Sequence, residues 1–367
     1  MNNTSCSLKG VQQVFLLNQS KANSCCRATP TSINNTTLTE LTNTWQHEAR
    51  LLAQGQRLSS CQICWNKEDQ GITSYRQQQP LSQAVQIELD LSNLCNHMCA
   101  YCSPKFSSKW QQSIQQHGEF INISKTAKTN LQIVEQNTNY RSWLSQIETH
   151  VASHPPDSVV LSLIGGEPLM QYHSLKDAVN LMMPAVKQLT VTTNLNPLTS
   201  KFFDQLLDTW PAEKLAFNIS IDAIPEFNHV PRSGFDQQRF ERNLDKLVSR
   251  GINYKFLCVV SVLNVFDLAS FLRWQTDNVI MHQLNNPSCL DINIVPDEYR
   301  SVLLNSLPKN VPPWVQESLT NPSKAIDLKL QEQYNYLTQY FSRTNTVIPA
   351  NMKFAQYWAW LQQRFNK

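Results

Sequence analysis

The chain has 367 residues, 41% hydrophobic and 16% charged, enough to build a large core and to exclude wholesale disorder. Its formal net charge of +3 is too weak for a nucleic-acid footprint. No apolar run reaches the roughly 18 residues of a transmembrane helix, and residues 1–10 lack the basic-then-apolar order of a secretory signal, so the expected location is cytoplasmic.

Residues 1–83 are rich in Asn, Gln, Ser and Thr and carry Cys6, Cys25, Cys26, Cys61 and Cys64. From about residue 84, short apolar runs alternate with longer amphipathic ones. The predicted strands are Val85–Leu91, Ser158–Ile164, Gln188–Thr193, Lys214–Ile221, Tyr254–Val262 and a weaker Cys289–Val295, rich in Val, Ile, Leu or Phe. Helical patterns fall over Leu175–Val186, Thr199–Thr209, Asp236–Arg250 and Val265–Thr276. Strands alternating with helices predict an α/β fold of parallel units with right-handed crossovers, in which chemistry sits at the C-terminal strand ends.

The stretch between Cys102 and Ser158 exceeds a normal crossover. Its polar part, Pro104–Asn130, and a predicted helix over Leu131–His150 read as an elaborated first helix and a lid-like insertion, or as a solvated surface excursion. Beyond Pro296 the chain reads as helical, clearest over Leu328–Phe341 and Ala355–Phe365, with prolines at 296, 308, 312, 313 and 322 breaking the approach.

Eight of the ten cysteines lie within the first 102 residues; such clustering favours metal over disulfides in a reduced compartment. Cys95, Cys99 and Cys102 stand at a spacing of three residues then two. Three thiolates so placed suit one iron–sulfur cluster with an iron left open, and an open iron binds a small molecule through an amine and a carboxylate. Spacing alone leaves a zinc site as the alternative. Gly165-Gly166-Glu167-Pro168 ends the second strand, where two glycines allow close backbone approach and the glutamate and turn carbonyls accept hydrogen bonds from an amino group.

This combination resembles the radical SAM superfamily. The resemblance implies an open (β/α)6 TIM-like partial barrel over 84–295, with a [4Fe–4S] cluster on Cys95, Cys99 and Cys102 that binds S-adenosylmethionine and cleaves it reductively. The 5′-deoxyadenosyl radical so formed abstracts hydrogen from an organic substrate. By resemblance, Tyr101 lies near the adenine and Gly165, Gly166 and Glu167 hold the methionyl amine. Asn194 of the third strand end, where relatives have Thr-Asn-Gly and Leu195 stands here, joins Ser220, Asp222, Arg232 and Asn264 as further cofactor-binding candidates. The bland alternative for Ser220 and Asp222 is polar residues at a strand end.

Cys61-Gln62-Ile63-Cys64-Trp65, with Glu68, Gly71, Ser74 and Arg76, resembles the auxiliary-cluster segment of the twitch/SPASM-type subgroup, and Ser107-Ser108-Lys109-Trp110 matches a stretch after its cluster loop. This implies an N-terminal twitch-like module, 1–83, holding a second [4Fe–4S] cluster on Cys6, Cys25, Cys61 and Cys64, and a helical tail, 296–367. A zinc knuckle is the alternative there. Cys258 is a candidate hydrogen-atom donor; a buried inert cysteine is the commoner case, and Cys289 reads the same way. The expected partners are a peptide or protein side chain as substrate, or a small molecule (a sugar, nucleotide or amino-alcohol), and a flavodoxin- or ferredoxin-type reductant. A non-catalytic zinc- or cluster-binding scaffold is the reading from another class.

Overall fold

A computed structural model describes residues 6–78, 84–135, 140–275, 277–284, 286–323 and 326–366. In chain order its strands are β1 (Gln12–Leu16), β2 (Lys21–Asn23), β3 (Thr31–Ser32), β4 (Val85–Asp90), β5 (Met98–Cys99), β6 (Val159–Ile164), β7 (Val186–Thr193), β8 (Leu215–Ser220), β9 (Arg232–Ser233), β10 (Asn253–Val260) and β11 (Val279–Gln283). The chain divides into two compact units: Met1–Asn93, Glu135–Thr192 and Thr199–Ala216 form one, and Leu94–Val134, Thr193–Leu198 and Phe217–Lys367 the other.

In the first unit β4, β6 and β7 pair in parallel, Leu89 opposite Leu163 and Leu163 opposite Val191. Alternation decides what each face buries. Ile87, Leu161 and Leu189 lie in one row and are fully buried, whereas Glu88, Ser162 and Thr190 form the polar row of the other face. The N-terminal segment extends this sheet: β1 pairs parallel with β4, and β2 and β3 follow antiparallel. Thr37 caps the helix Leu38–Ala53 through a reciprocal capping box with Glu40.

In the second unit β10 and β11 run parallel, and the chain leaving β8 is bound to β10 by the Ile221 N–H donating to the Leu257 carbonyl at 3.0 Å. The helix Ile326–Thr344 buries Leu330, Gln333, Leu337, Tyr340 and Phe341 along one stripe, and Phe354–Phe365 buries Tyr357 and Leu361. These parallel β/α repeats are consistent with the expected partial barrel. No described helix is long and apolar enough to cross a membrane.

Several expectations change. Cys289–Val295 is not a strand but two 3-10 turns, Ser288–Leu290 and Ile292–Ile294, and the strand beside β10 is instead β11. Asp291 stops an extended run because its side chain accepts the Asn293 N–H at 2.9 Å and bends the chain. The helix expected over Leu175–Val186 is Tyr172–Met182, and Val186 begins β7. Pro104–Asn130 is not a solvated excursion: it holds helices Ser108–His117 and Lys125–Asn130, with Trp110 and Phe120 at 0% and 1% exposure. The helix expected over Leu131–His150 appears as Tyr140–Ala152, while 136–139, like Thr276, lie outside the described residues.

Candidate active site and its cysteine loop

After β4 the chain enters the three-cysteine loop, whose carbonyls are taken one after another by side chains of the second unit. Ser108 Oγ donates to the Cys95 carbonyl at 3.1 Å and accepts the Cys95 N–H at the same distance. Ser107 Oγ takes the His97 carbonyl at 2.6 Å, and Trp110 Nε1 takes that of Cys99 at 2.9 Å. Tyr340 and Tyr336, one turn apart on Ile326–Thr344, donate to the carbonyls of Met98 and Ala100, both at 2.7 Å. Asn96 is gripped by the turn after β7, donating to the Asn196 carbonyl at 2.6 Å and accepting from Asn194 Nδ2 at 3.0 Å. Behind the loop Gly234 has φ +96°, and a Cβ there would lie 2.5 Å from the Asn96 carbonyl. A loop this fully hydrogen-bonded is held in shape before any ligand arrives.

The loop's thiols sit at the second unit's charged centre. Cys95 and Cys99 are buried, and Cys102 is half-buried. Tyr101 Oη donates to Asp222 Oδ2 at 2.5 Å, Arg232 Nε to the same oxygen at 2.8 Å, and Arg232 Nη2 to the Tyr101 hydroxyl at 2.5 Å. Arg232 Nη1 reaches the sulfur of Cys99 at 3.6 Å. Burial works against the guanidinium's charge, but Asp222, Tyr101 and Cys99 together outweigh it and hold Arg232 protonated. Burial pushes the Cys99 thiol up, against Arg232, and pushes Cys102 up to about 12, with Cys99 adding to it. Burial, with Arg232 next, pushes His97 down to about 3, so its ring is neutral.

Asn264 is engaged inside the chain, donating through Nδ2 to the carbonyls of Asp222 and Val259, both at 2.9 Å. Cys258 is fully buried; its thiol points to the Asp222 carbonyl at 3.7 Å, and burial pushes its pKa well up. Ser220 is the last residue of β8, half-buried, and Asp222 lies in the bend beyond it. Leu195 occupies the place of the glycine in Thr-Asn-Gly at φ +54°, the left-handed conformation a glycine would favour, and its N–H is anchored on Thr193 Oγ1 at 2.8 Å.

The glycine turn belongs to the first unit. Gly165 and Gly166 have φ +76° and +47°, and Glu167, fully buried, caps the following turn by accepting the Leu169 N–H at 3.0 Å. In the same unit Cys6 packs against a small cluster of Leu8, Cys25 and Ala28. Cys61 precedes the helix Gln62–Glu68, which carries the buried Cys64. Two of these thiols are shifted with the others contributing: burial, then Cys25 and Cys64, push Cys6 up, and burial, then Cys6 and Cys25, push Cys61 up, with Lys9 opposing. A hydrogen bond between the Cys25 and Cys26 thiols, together with burial, drives Cys25 up, and the same bond pulls Cys26 down. Cys26 is exposed, and its N–H goes to Gln12 Oε1 at 3.0 Å.

Both cysteine groups fit a cluster by donor chemistry. Among the described residues no three His, Cys, Asp or Glu side chains converge as ligands of a single ion. A cluster does not need that, since each thiolate takes a different iron. The sequence pattern missed the loop's supports on the far helix, Tyr336 and Tyr340. Their signal was two tyrosines four apart on an otherwise apolar stripe.

The fold is an α/β chain of parallel units with a braced three-cysteine loop, and the Radical SAM superfamily profile matches residues 89–274, half of the chain. The chain belongs to the Radical SAM superfamily, which implies an enzyme using a [4Fe–4S] cluster and S-adenosylmethionine. No curated protein matches the sequence. Among solved structures, native anSMEcpe with bound AdoMet is 14% identical over 60% of this chain and 58% of its own, at a TM-score of 0.38. Streptococcus suis SuiB bound to S-adenosylmethionine is 14% identical over 76% and 50%, at 0.37, and a mutant spore photoproduct lyase is 14% identical over 77% and 91%, at 0.32. The chain thus spans less than two thirds of the first two.

Proposed function

We propose that Cys95, Cys99 and Cys102 hold a [4Fe–4S] cluster and that the protein abstracts hydrogen from an unactivated carbon of an organic substrate. The bound cluster and S-adenosylmethionine supply the 5′-deoxyadenosyl radical. The chain's own residues do the rest: the braced loop fixes the three thiols, Arg232 places an N–H on the Cys99 sulfur, and Tyr101, Asp222 and Arg232 form one rigid polar wall beside them. The observation that carries this reading is the loop itself, with the carbonyls of Cys95 and of every residue from His97 to Ala100 held by a side chain.

A second cluster on Cys6, Cys25, Cys61 and Cys64 is part of the proposal, supported by the influence of Cys25 and Cys64 on Cys6 and of Cys6 and Cys25 on Cys61; Cys25 rather than Cys26 is chosen because it is buried beside Cys6. Hydrogen donation by Cys258 would require its S–H to leave the Asp222 carbonyl. A peptide or protein side chain is our preferred substrate, on the resemblance of residues 61–110 to the twitch-type subgroup, with a small molecule second and a flavodoxin- or ferredoxin-type protein as reductant. The test is anaerobic reconstitution followed by dithionite and S-adenosylmethionine. Wild type is expected to release 5′-deoxyadenosine and the triple alanine variant at Cys95, Cys99 and Cys102 none. Release by the variant removes the loop from the reaction, and no release by a cluster-loaded wild type favours a scaffold. Alanine at Cys61 and Cys64 should spare that release and impair substrate turnover.

A further inference from the structure

Asp90 is the last residue of β4 and pairs in register with Ile164, the last of β6. Its side chain is 0% exposed, and among the described residues neither carboxyl oxygen has a hydrogen-bond partner. No described lysine or arginine forms an ion pair with it. Burial is what acts on this group, and it pushes the pKa well above the usual carboxylate range.

The neighbour that covers it is the glycine turn. A Cβ on Gly165 would fall 2.0 Å from Asp90 Oδ1 and 2.6 Å from Oδ2. The carboxyl therefore occupies the space that any side chain at position 165 would need, and glycine is required there twice over, for the close approach and for φ +76°. Glu167, the other buried acid of this corner, already has a backbone partner in the Leu169 N–H. Two orphaned oxygens buried against this turn are costly to leave unpaired. Such a cost is commonly kept where a bound group supplies the missing donor.

We infer that Asp90 is a positioning residue for S-adenosylmethionine, placing an unpartnered carboxyl group behind the Gly165-Gly166-Glu167 turn as an acceptor for the amino group that the turn holds. This rests on the reading that the turn binds that amino group, and it adds a residue that no motif marks. From beneath the turn, this acceptor fixes where the amino end of the ligand settles. On this reading the effect is confined to the amino end of the ligand.

The test measures equilibrium binding of three probes to the reconstituted, cluster-loaded protein: S-adenosylmethionine, S-adenosylhomocysteine, and 5′-methylthioadenosine, which lacks the amino-acid portion. Asp90→Asn, nearly isosteric, should weaken the first two by about tenfold or more, as expected for loss of a charge-assisted contact, and leave 5′-methylthioadenosine unchanged. Its thermal midpoint should not fall, because an unpaired buried carboxyl is replaced by a neutral amide; Asp90→Ala serves as the second variant should the amide fail to fold. Equal weakening of all three probes, no weakening of any, or weakening of S-adenosylmethionine alone would overturn the inference. If the loaded wild type binds none of the probes, the reading of the turn itself falls, and the inference with it.

Discussion

Arg232 donates through Nε to Asp222 and through Nη1 to the sulfur of Cys99, so one guanidinium ties a buried acid to a thiol of the cysteine loop. The pair is nearly dry, with side chains 8% and 0% exposed. Replacing Arg232 by Met leaves Asp222 buried without its counter-charge, which costs about 3–5 kcal/mol in such pairs and should appear in urea unfolding. The same variant should move the midpoint potential of the loop's cluster to more negative values, because N–H donors to cluster sulfurs stabilise the reduced state; an unmoved potential would show that the contact is only structural. His97 gives a pH prediction. Its ordinary pKa of 6.5 falls to about 3 in the fold. Below pH 6.5 the unfolded chain takes up a proton that the folded ring refuses, so stability is full above that pH and is lost as the pH falls through the window. The slope reaches about 1.4 kcal/mol per pH unit. His97→Gln should flatten it when unfolding is followed from pH 7 to pH 5 beside wild type.

The helix Ile326–Thr344 reaches across more than two hundred residues of sequence to hold the loop, through Tyr336 and Tyr340. Around them Trp110, Phe120, Tyr336 and Tyr340 stack in a chain with ring centroids 5.2 to 6.1 Å apart, each pair adding about 0.5–1.5 kcal/mol beyond its burial. Tyr336→Phe and Tyr340→Phe keep the rings and remove the hydroxyls, leaving a buried loop carbonyl unpaired in each case. About 1–3 kcal/mol of stability should be lost per change, together with iron retention, as read by unfolding curves and iron assay on the same samples. Full iron in both variants would mean that the loop holds its shape without this helix. At this scale the sequence was legible where pattern is local. The strands at Val85, Ser158 and Lys214 were visible from their apolar runs, and the cysteine loop and glycine turn from their spacing. What pattern could not show was partnership at a distance. Gln12–Leu16 lies in a polar zone, and its pairing with Val85–Asp90 on one side and Lys21–Asn23 on the other makes it a strand. Asp90 gave no signal at all, since its significance lies in a glycine 75 residues away. The run Cys289–Val295 was misread because its apolar spacing fits a strand and a pair of tight turns equally well.

For the whole molecule the two cysteine groups belong to different compact units, Cys6, Cys25, Cys61 and Cys64 to one and Cys95, Cys99 and Cys102 to the other. Metal analysis after reconstitution should therefore find about eight irons per chain and about four in a variant lacking either group; zinc in place of iron at the first group would make it a structural knuckle. The raised pKa values of Cys99 and Cys102 add that loading must expel protons, so iron uptake should strengthen as the pH rises from 7 to 9. The most direct measurement is the electron paramagnetic resonance spectrum of dithionite-reduced Cys61→Ala/Cys64→Ala protein, recorded before and after S-adenosylmethionine is added. A [4Fe–4S] signal whose g-values shift on addition is expected, because the ligand's amine and carboxylate fill the iron left open by Cys95, Cys99 and Cys102. A signal indifferent to the ligand, or no cluster signal at all, would mean that these three cysteines do not leave an open iron for S-adenosylmethionine.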